Sequence, residues 1–161
     1  MTRQEYIEQF KNVVLEAVKG TGLFPSLMMA QAILESSDVK GVPGNSTLAR
    51  VYNNHFGIKA DKNWTGKKVN LITREVFEGK SVILGDYFRV YDEAAHSFKD
   101  RIQFLKKNSR YAKAGVFSAK TPDEQAQALK DAGYATDPNY ATILSSLIKK
   151  LNLLELDKLV S

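Results

Sequence analysis

Apolar residues recur along the first twenty positions at the spacing of a helix. In TRQEYIEQFKNVVLEAVKG, Tyr6, Phe10, Val13, Val14, Ala17 and Val18 fall on one face. Thr2 with Glu5 three positions later makes a capping box, and Gly20 supplies a stop. A second helix is predicted from Pro25, a good first-turn residue. Its run LMMAQAIL is apolar nearly all round, so it is expected to be buried on most sides. Positions 28, 31, 32 and 35 share a face, which puts Glu35 in line with Met28, Gln31 and Ala32. Residues 37–50 hold Gly41, Pro43, Gly44, Asn45 and Ser46 and have the chemistry of a loop.

The period then changes to two. In VNLITREVF, residues 69–77, Val69, Leu71, Thr73, Glu75 and Phe77 alternate with Asn70, Ile72, Arg74 and Val76. EGKS is the expected turn and VILGDYFRVY the returning strand of a hairpin. Helical spacing resumes with Asp92 as cap and Ala95, Phe98, Ile102 and Leu105 inward. TPDE, residues 121–124, is a second capping box with Pro just inside, and Gly133 ends that helix. The last clear helix has Asp137 as cap, Pro138 inside, and Tyr140, Ile143, Leu144, Leu147, Ile148 and Leu151 inward. The expected architecture is a single, mostly helical α+β domain over residues 1–161, interrupted by one hairpin.

Composition narrows the chemistry. A chain of 161 residues, 43% hydrophobic and 25% charged, suits one domain with a sizeable core. It has no Cys, so thiolate chemistry and disulfides are excluded. Its two His, His55 and His96, lie far apart, which argues against a multi-histidine metal site; no metal and no cofactor are expected. MTRQEYIEQF has no apolar signal region, and no run approaches a membrane-spanning length, so membrane insertion is not expected. A role outside the cytoplasm would require a signal already removed, a longer parent protein, or another export route. The net charge is +5, with KK pairs at 67–68, 106–107 and 149–150. Solvated faces are the plainer explanation; attraction to a polyanion is the functional one. No nucleic-acid recognition module is readable, whereas an anionic cell wall would be attracted equally well. A monomer is expected.

Two carboxylates stand out. Glu35 lies where a buried helix runs out, and both burial and the negative end of the helix dipole disfavour its charged form. A raised pKa is what a proton donor at neutral pH needs. The plainer alternative is an exposed helix-end Glu. Glycoside hydrolysis commonly uses a second carboxylate. Glu75, which breaks the apolar alternation of Val69, Leu71 and Phe77, is the better candidate, although by spacing alone a strand Glu paired with a Lys or Arg is favoured. Glu78 reads as a solvated turn residue, and Asp38 and Asp86 are weaker candidates. Trp64, Phe88, Tyr91, Tyr134 and Tyr140 fall in or beside loops and strand ends, where aromatic faces could line a glycan groove or simply pack.

AQAILESS, NNHFGIKA, NWTGKKV, TREVFEGK, YFRVYDEAAHSFKDR and AGYATDPNYATIL follow one another in an order that resembles bacterial peptidoglycan-cleaving N-acetylglucosaminidases, glycoside hydrolase family 73. The resemblance runs from about residue 5 to residue 151. It implies a lysozyme-like fold, with a helical lobe and a hairpin lobe flanking a cleft. It implies cleavage of the β-1,4 bond between N-acetylglucosamine and N-acetylmuramic acid in peptidoglycan glycan strands, in the cell envelope or outside the cell. On this resemblance Glu35 is the catalytic acid, Glu75 the hairpin carboxylate and Tyr134 a substrate-positioning residue. Asn54 and Phe56 fall in the cleft-edge segment, and His55 stands where a small apolar residue is usual.

Two alternatives remain. A lytic transglycosylase has the same fold and a Glu followed by Ser, as in Glu35–Ser36, but needs no second carboxylate. A non-catalytic glycan-binding module would have no use for Glu35, Glu75 and Tyr134 together.

Overall fold

The computed structural model describes residues 1–160, apart from the side chains of residues 73–77. Among these, helix α1 (Arg3–Val18) leads to α2 (Pro25–Ser36) and a short α3 (Thr47–Tyr52). Strands β1 (Lys68–Phe77) and β2 (Lys80–Arg89) follow. The chain then returns to helix: α4 (Ala94–Lys107), α5 (Ser109–Lys113), α6 (Pro122–Asp131), α7 (Tyr140–Lys150) and α8 (Leu154–Asp157). The lysozyme-like α+β arrangement expected from the sequence is the one observed.

The Thr2 hydroxyl accepts from Glu5 N at 3.1 Å and Glu5 Oε1 accepts from Thr2 N at 2.9 Å, the predicted reciprocal cap of α1. Tyr6, Phe10, Val14 and Val18, spaced by four, are its buried stripe. Helix α2 is the centre of the molecule. Every residue from Pro25 to Ile33 is buried, and α1, α6, α7 and α8 pack round it. A helix enclosed in this way must be apolar on all sides. Leu27, Met28, Met29 and Ile33 each contribute about 1.5–3 kcal/mol of burial, far more than intrinsic helix propensity.

Four expectations about the helices are corrected. Residues 47–50 are helical, because Ser46 accepts from Ala49 N at 3.1 Å and starts α3 inside the Gly- and Pro-rich stretch. Asp92 does not cap α4; Glu93 holds that position without a side-chain bond, and Asp92 lies 3.8 Å from Lys67. The box at α6 is displaced: Thr121 accepts from Glu124 N, but Glu124 Oε2 accepts from Lys120 N. Helix α7 begins at Tyr140 because Asp137 Oδ1 accepts from Asn139 N at 2.8 Å, forming a turn ahead of the helix.

The hairpin pairs Lys68 with Arg89 through to Phe77 with Lys80. Its turn is the two residues Glu78 and Gly79, at φ 50 and 77, rather than all of EGKS. Both central residues at positive φ match the right-handed strand twist. Val82, Leu84 and Asp86 are half-buried and Phe88 is buried, while Ile83 and Tyr87 face outward. The base is tied to the segment after α3 by Arg89 N to Ile58 O at 3.0 Å and Ala60 N to Tyr87 O at 2.9 Å. The described residues contain no helix long and apolar enough to cross a membrane.

Candidate active site

Glu35 occupies the last turn of α2, half-buried in the wall of a cleft of about 430 Å³. Phe56, Lys59, Asp61, Phe104, Arg110, Tyr111 and Tyr134 also line this cleft. Burial pushes the Glu35 carboxyl up from its ordinary 4.5 to about 7, against the opposing pull of Arg101 and the hydroxyls of Tyr134 and Tyr140. At neutral pH a substantial fraction therefore keeps its proton.

The carboxyl sits between two phenols. Tyr134 Oη lies 3.3 Å from Oε2 and donates to it; Tyr140 Oη donates to Oε1 at 3.5 Å, a long contact. Burial raises both phenol pKa values, so both remain neutral donors. A Schellman turn places Tyr134. Gly133, at φ 87, follows the end of α6, and Tyr134 N closes onto Leu129 O at 3.0 Å. Tyr140 is the first residue of α7 and is buried, and its hydroxyl accepts from Gln31 Nε2 at 2.7 Å.

Behind the phenols lies Arg101, 2% exposed on α4. Its Nε donates to Tyr134 Oη at 3.1 Å and its Nη2 donates to Gln31 Oε1. The guanidinium lies 4.9 Å from the Tyr134 ring centroid and 5.2 Å from that of Phe56. Gln31 and Arg101 were not singled out in the sequence as site residues. The signal was present: Arg101 follows Phe98 by three and precedes Leu105 by four, so it shares the inward face of α4.

The structure gathers Glu35, Phe56, Tyr134 and Tyr140 and sets the other sequence candidates apart. Asn54 is 1% exposed; its amide donates to Ile58 O and Arg89 O and accepts from Ile58 N, tying the post-α3 turn to the hairpin base. Phe88 is buried at that same base. Tyr91 is buried and donates to Asp100 Oδ2 at 2.5 Å. Trp64 lines a separate depression with Tyr91, Lys67 and Lys99. Its ring is covered by the Arg89 guanidinium at 4.6 Å and crowded by Gly66, where a Cβ would come within 2.6 Å of it. Glu75 stands opposite Val82 in the β-ladder, and its side chain lies outside the described residues.

The weaker carboxylates have other employment. Asp38 accepts from Lys40 N, Val42 N and Asn45 Nδ2 and organises the loop after α2. Asp86 pairs with Lys59 at 3.0 Å. His55 is buried, 2.6 Å from the Tyr6 hydroxyl, and burial lowers its pKa to about 4. Among the described residues, no three His, Cys, Asp or Glu side chains gather as a metal site.

The glucosaminidase family model, described as mannosyl-glycoprotein endo-beta-N-acetylglucosaminidase, matches residues 11–153. The chain is 38% identical over 139 residues to exo-glucosaminidase LytG of Bacillus subtilis, covering 84% of this chain and 47% of that protein. It is 38% identical over 160 residues to a probable N-acetylmuramidase of Lactococcus lactis, covering 96% and 35% respectively. It therefore spans between about a third and a half of the length of these relatives. The catalytic domain of the autolysin Auto from Listeria monocytogenes superposes with a TM-score of 0.80 at 33% identity, covering 96% of this chain and 87% of that one. On the match of residues 11–153, the chain belongs to the glucosaminidase family.

Proposed function

We propose that this chain is a peptidoglycan hydrolase that cleaves the β-1,4 bond following N-acetylglucosamine, with Glu35 as general acid. The observation that carries the reading is the Glu35 carboxyl in an open cleft, its pKa raised to about 7, with a phenol hydroxyl directed at each oxygen. Protonation of the glycosidic oxygen requires such a donor, because a carboxyl at its ordinary value would be ionised at neutral pH. Tyr134 and Tyr140 orient the carboxyl, and Tyr134 presents ring surface to the sugar while the buried Phe56 forms part of the cleft wall. Asn54 and Phe88 act from the interior by holding the cleft shoulder, and Trp64 with Tyr91 forms an outlying wall for a longer strand. Glu75, on the hairpin, is the second carboxylate of this reading, with the task of positioning water or steadying the developing positive charge.

Relatives named as a glucosaminidase and as a probable muramidase make the bond itself the quantity to measure. Mass spectrometry of digested cell walls is expected to show reducing-end N-acetylglucosamine. Reducing-end N-acetylmuramic acid would overturn the bond assignment, and an anhydro product would point to transglycosylase chemistry. Glu35→Gln is expected to fold and to lose about 10²–10⁴-fold in turnover. A folded variant with substantial activity would remove Glu35 from its role.

A further inference from the structure

A guanidinium withdrawn from water needs a counter-charge or a complete set of acceptors. Arg101 is 2% exposed, and among the described residues no carboxylate lies within ion-pair distance of it. What surrounds it is neutral: the Gln31 amide, the Tyr134 hydroxyl, and the rings of Phe56 and Tyr134. A carboxyl does stand one hydroxyl away. Glu35 Oε2 is 3.3 Å from Tyr134 Oη, which is 3.1 Å from Arg101 Nε. A second relay runs from Glu35 Oε1 through Tyr140 Oη and Gln31 to the same guanidinium. Both carboxyl oxygens are thus linked to one buried cation.

We propose that Arg101 is a positioning residue whose charge is reserved for the ionised form of Glu35, so that the acid can release its proton and hold the resulting anion without a direct salt bridge. This rests on the proposed role of Glu35 as proton donor. A direct pair at about 3 Å would keep Glu35 ionised and useless as an acid; no cation at all would leave it too weak to give up its proton. Two hydroxyl relays give an intermediate coupling. The balance is simple: the proton leaves Glu35 for the glycosidic oxygen, and the negative charge left behind is met by two phenol donors that Arg101 and Gln31 polarise from behind. Among the described residues, the other charged or titratable groups that line the open cleft with Glu35 are Arg110 and Tyr111 of α5, and Lys59 and Asp61 of the segment after α3. Water screens the charged members of this set far more than it screens Arg101.

The test is to titrate Glu35 by carboxyl carbon NMR in the resting protein, with Glu35→Gln identifying the resonance. Arg101→Met and Arg101→Gln remove the charge, and Arg101→Lys restores it. The wild-type midpoint is expected near 7. The neutral variants are expected to titrate about one pH unit higher, with the alkaline limb of kcat/KM moving by the same amount, and the Lys variant is expected to return toward wild type. Should the neutral variants fail to fold, the Arg101 Nε–H resonance of the wild type must itself titrate with the Glu35 midpoint and must stop doing so in Glu35→Gln. A folded neutral variant with an unmoved midpoint overturns the proposal, as does an Nε–H resonance blind to Glu35. A shifted midpoint in a protein without hydrolytic activity would uphold the coupling while sinking the proposed function.

Discussion

Arg89 and Arg101 are both withdrawn from solvent, and both lie over aromatic rings, yet their settings are opposite. Arg89, at the end of β2, bonds Asp100 Oδ2 at 2.8 Å and Lys59 O at 3.0 Å, with Asp61 at 3.7 Å. Its charge is spent inside the fold, fastening the hairpin base to α4. Arg101, the very next α4 residue after Asp100, meets only neutral groups directly. Adjacent positions on one helix thus serve different ends: one closes an ion pair and stabilises, the other leaves charge in hand beside the acid. A buried arginine indicates structure or chemistry only once its partners are known.

The sharpest way to break this contrast is to remove each charge in turn. Arg89→Met leaves Asp100 with the Tyr91 hydroxyl but without its ion-pair partner, and unfolding by denaturant is expected to show a loss of about 3 kcal/mol. The alkaline limb of activity should stay in place. Arg101→Met orphans no directly paired carboxylate, so its stability loss should be smaller while the limb moves. Equal stability losses with equal pH profiles would erase the distinction.

A second comparison sets the hairpin that Arg89 fastens against the helix that carries Glu35. Glu75→Gln is expected to lower turnover on the order of 10²-fold, the low end for an acid–base group, because water or the substrate can share its task. Loss as deep as that of Glu35→Gln would make the two carboxylates equal partners; wild-type turnover would dismiss Glu75.

The smallest effect concerns stability alone. Below pH 4.5 Glu35 is protonated whether the chain is folded or unfolded. Between about 4.5 and about 7 the unfolded chain releases this proton while the folded protein keeps it, so stability falls as pH rises. Above that window the deficit is constant. Glu35→Gln removes it, so thermal unfolding of variant and wild type should coincide at pH 4. At pH 8 the variant should lead by about 2 kcal/mol, less than the full shift implies because the carboxyl is partly solvated. A lead already present at pH 4 would assign the gain to packing instead.

Helix α2, the stripe of α1 and the hairpin were legible in the sequence because burial imposes a period that the chain must obey. Glu35 was legible for the complementary reason, as a lone acid in an apolar run. The cap of α7 was not, since Asp137 can bond to Asn139 N before the helix as readily as it can start one. The Arg101–Gln31–Tyr140 relay was hidden because its members come from three helices, and one-dimensional spacing says nothing of what meets across them. Trp64 had the composition of a stacking platform, but Arg89 and Gly66 already crowd its ring.

The two-residue turn at Glu78 and Gly79 makes the hairpin a ruler with fixed graduations. With both turn residues at positive φ, pairing from Phe77–Lys80 to Lys68–Arg89 admits no slack. Inserting one residue in either strand would exchange its two faces or force a bulge. Adding two to each strand would carry the tip about 7 Å farther while preserving which positions face which way. The reach of the hairpin is therefore adjustable only in paired steps, and chimaeras that respect that increment are the ones that should keep the cleft intact.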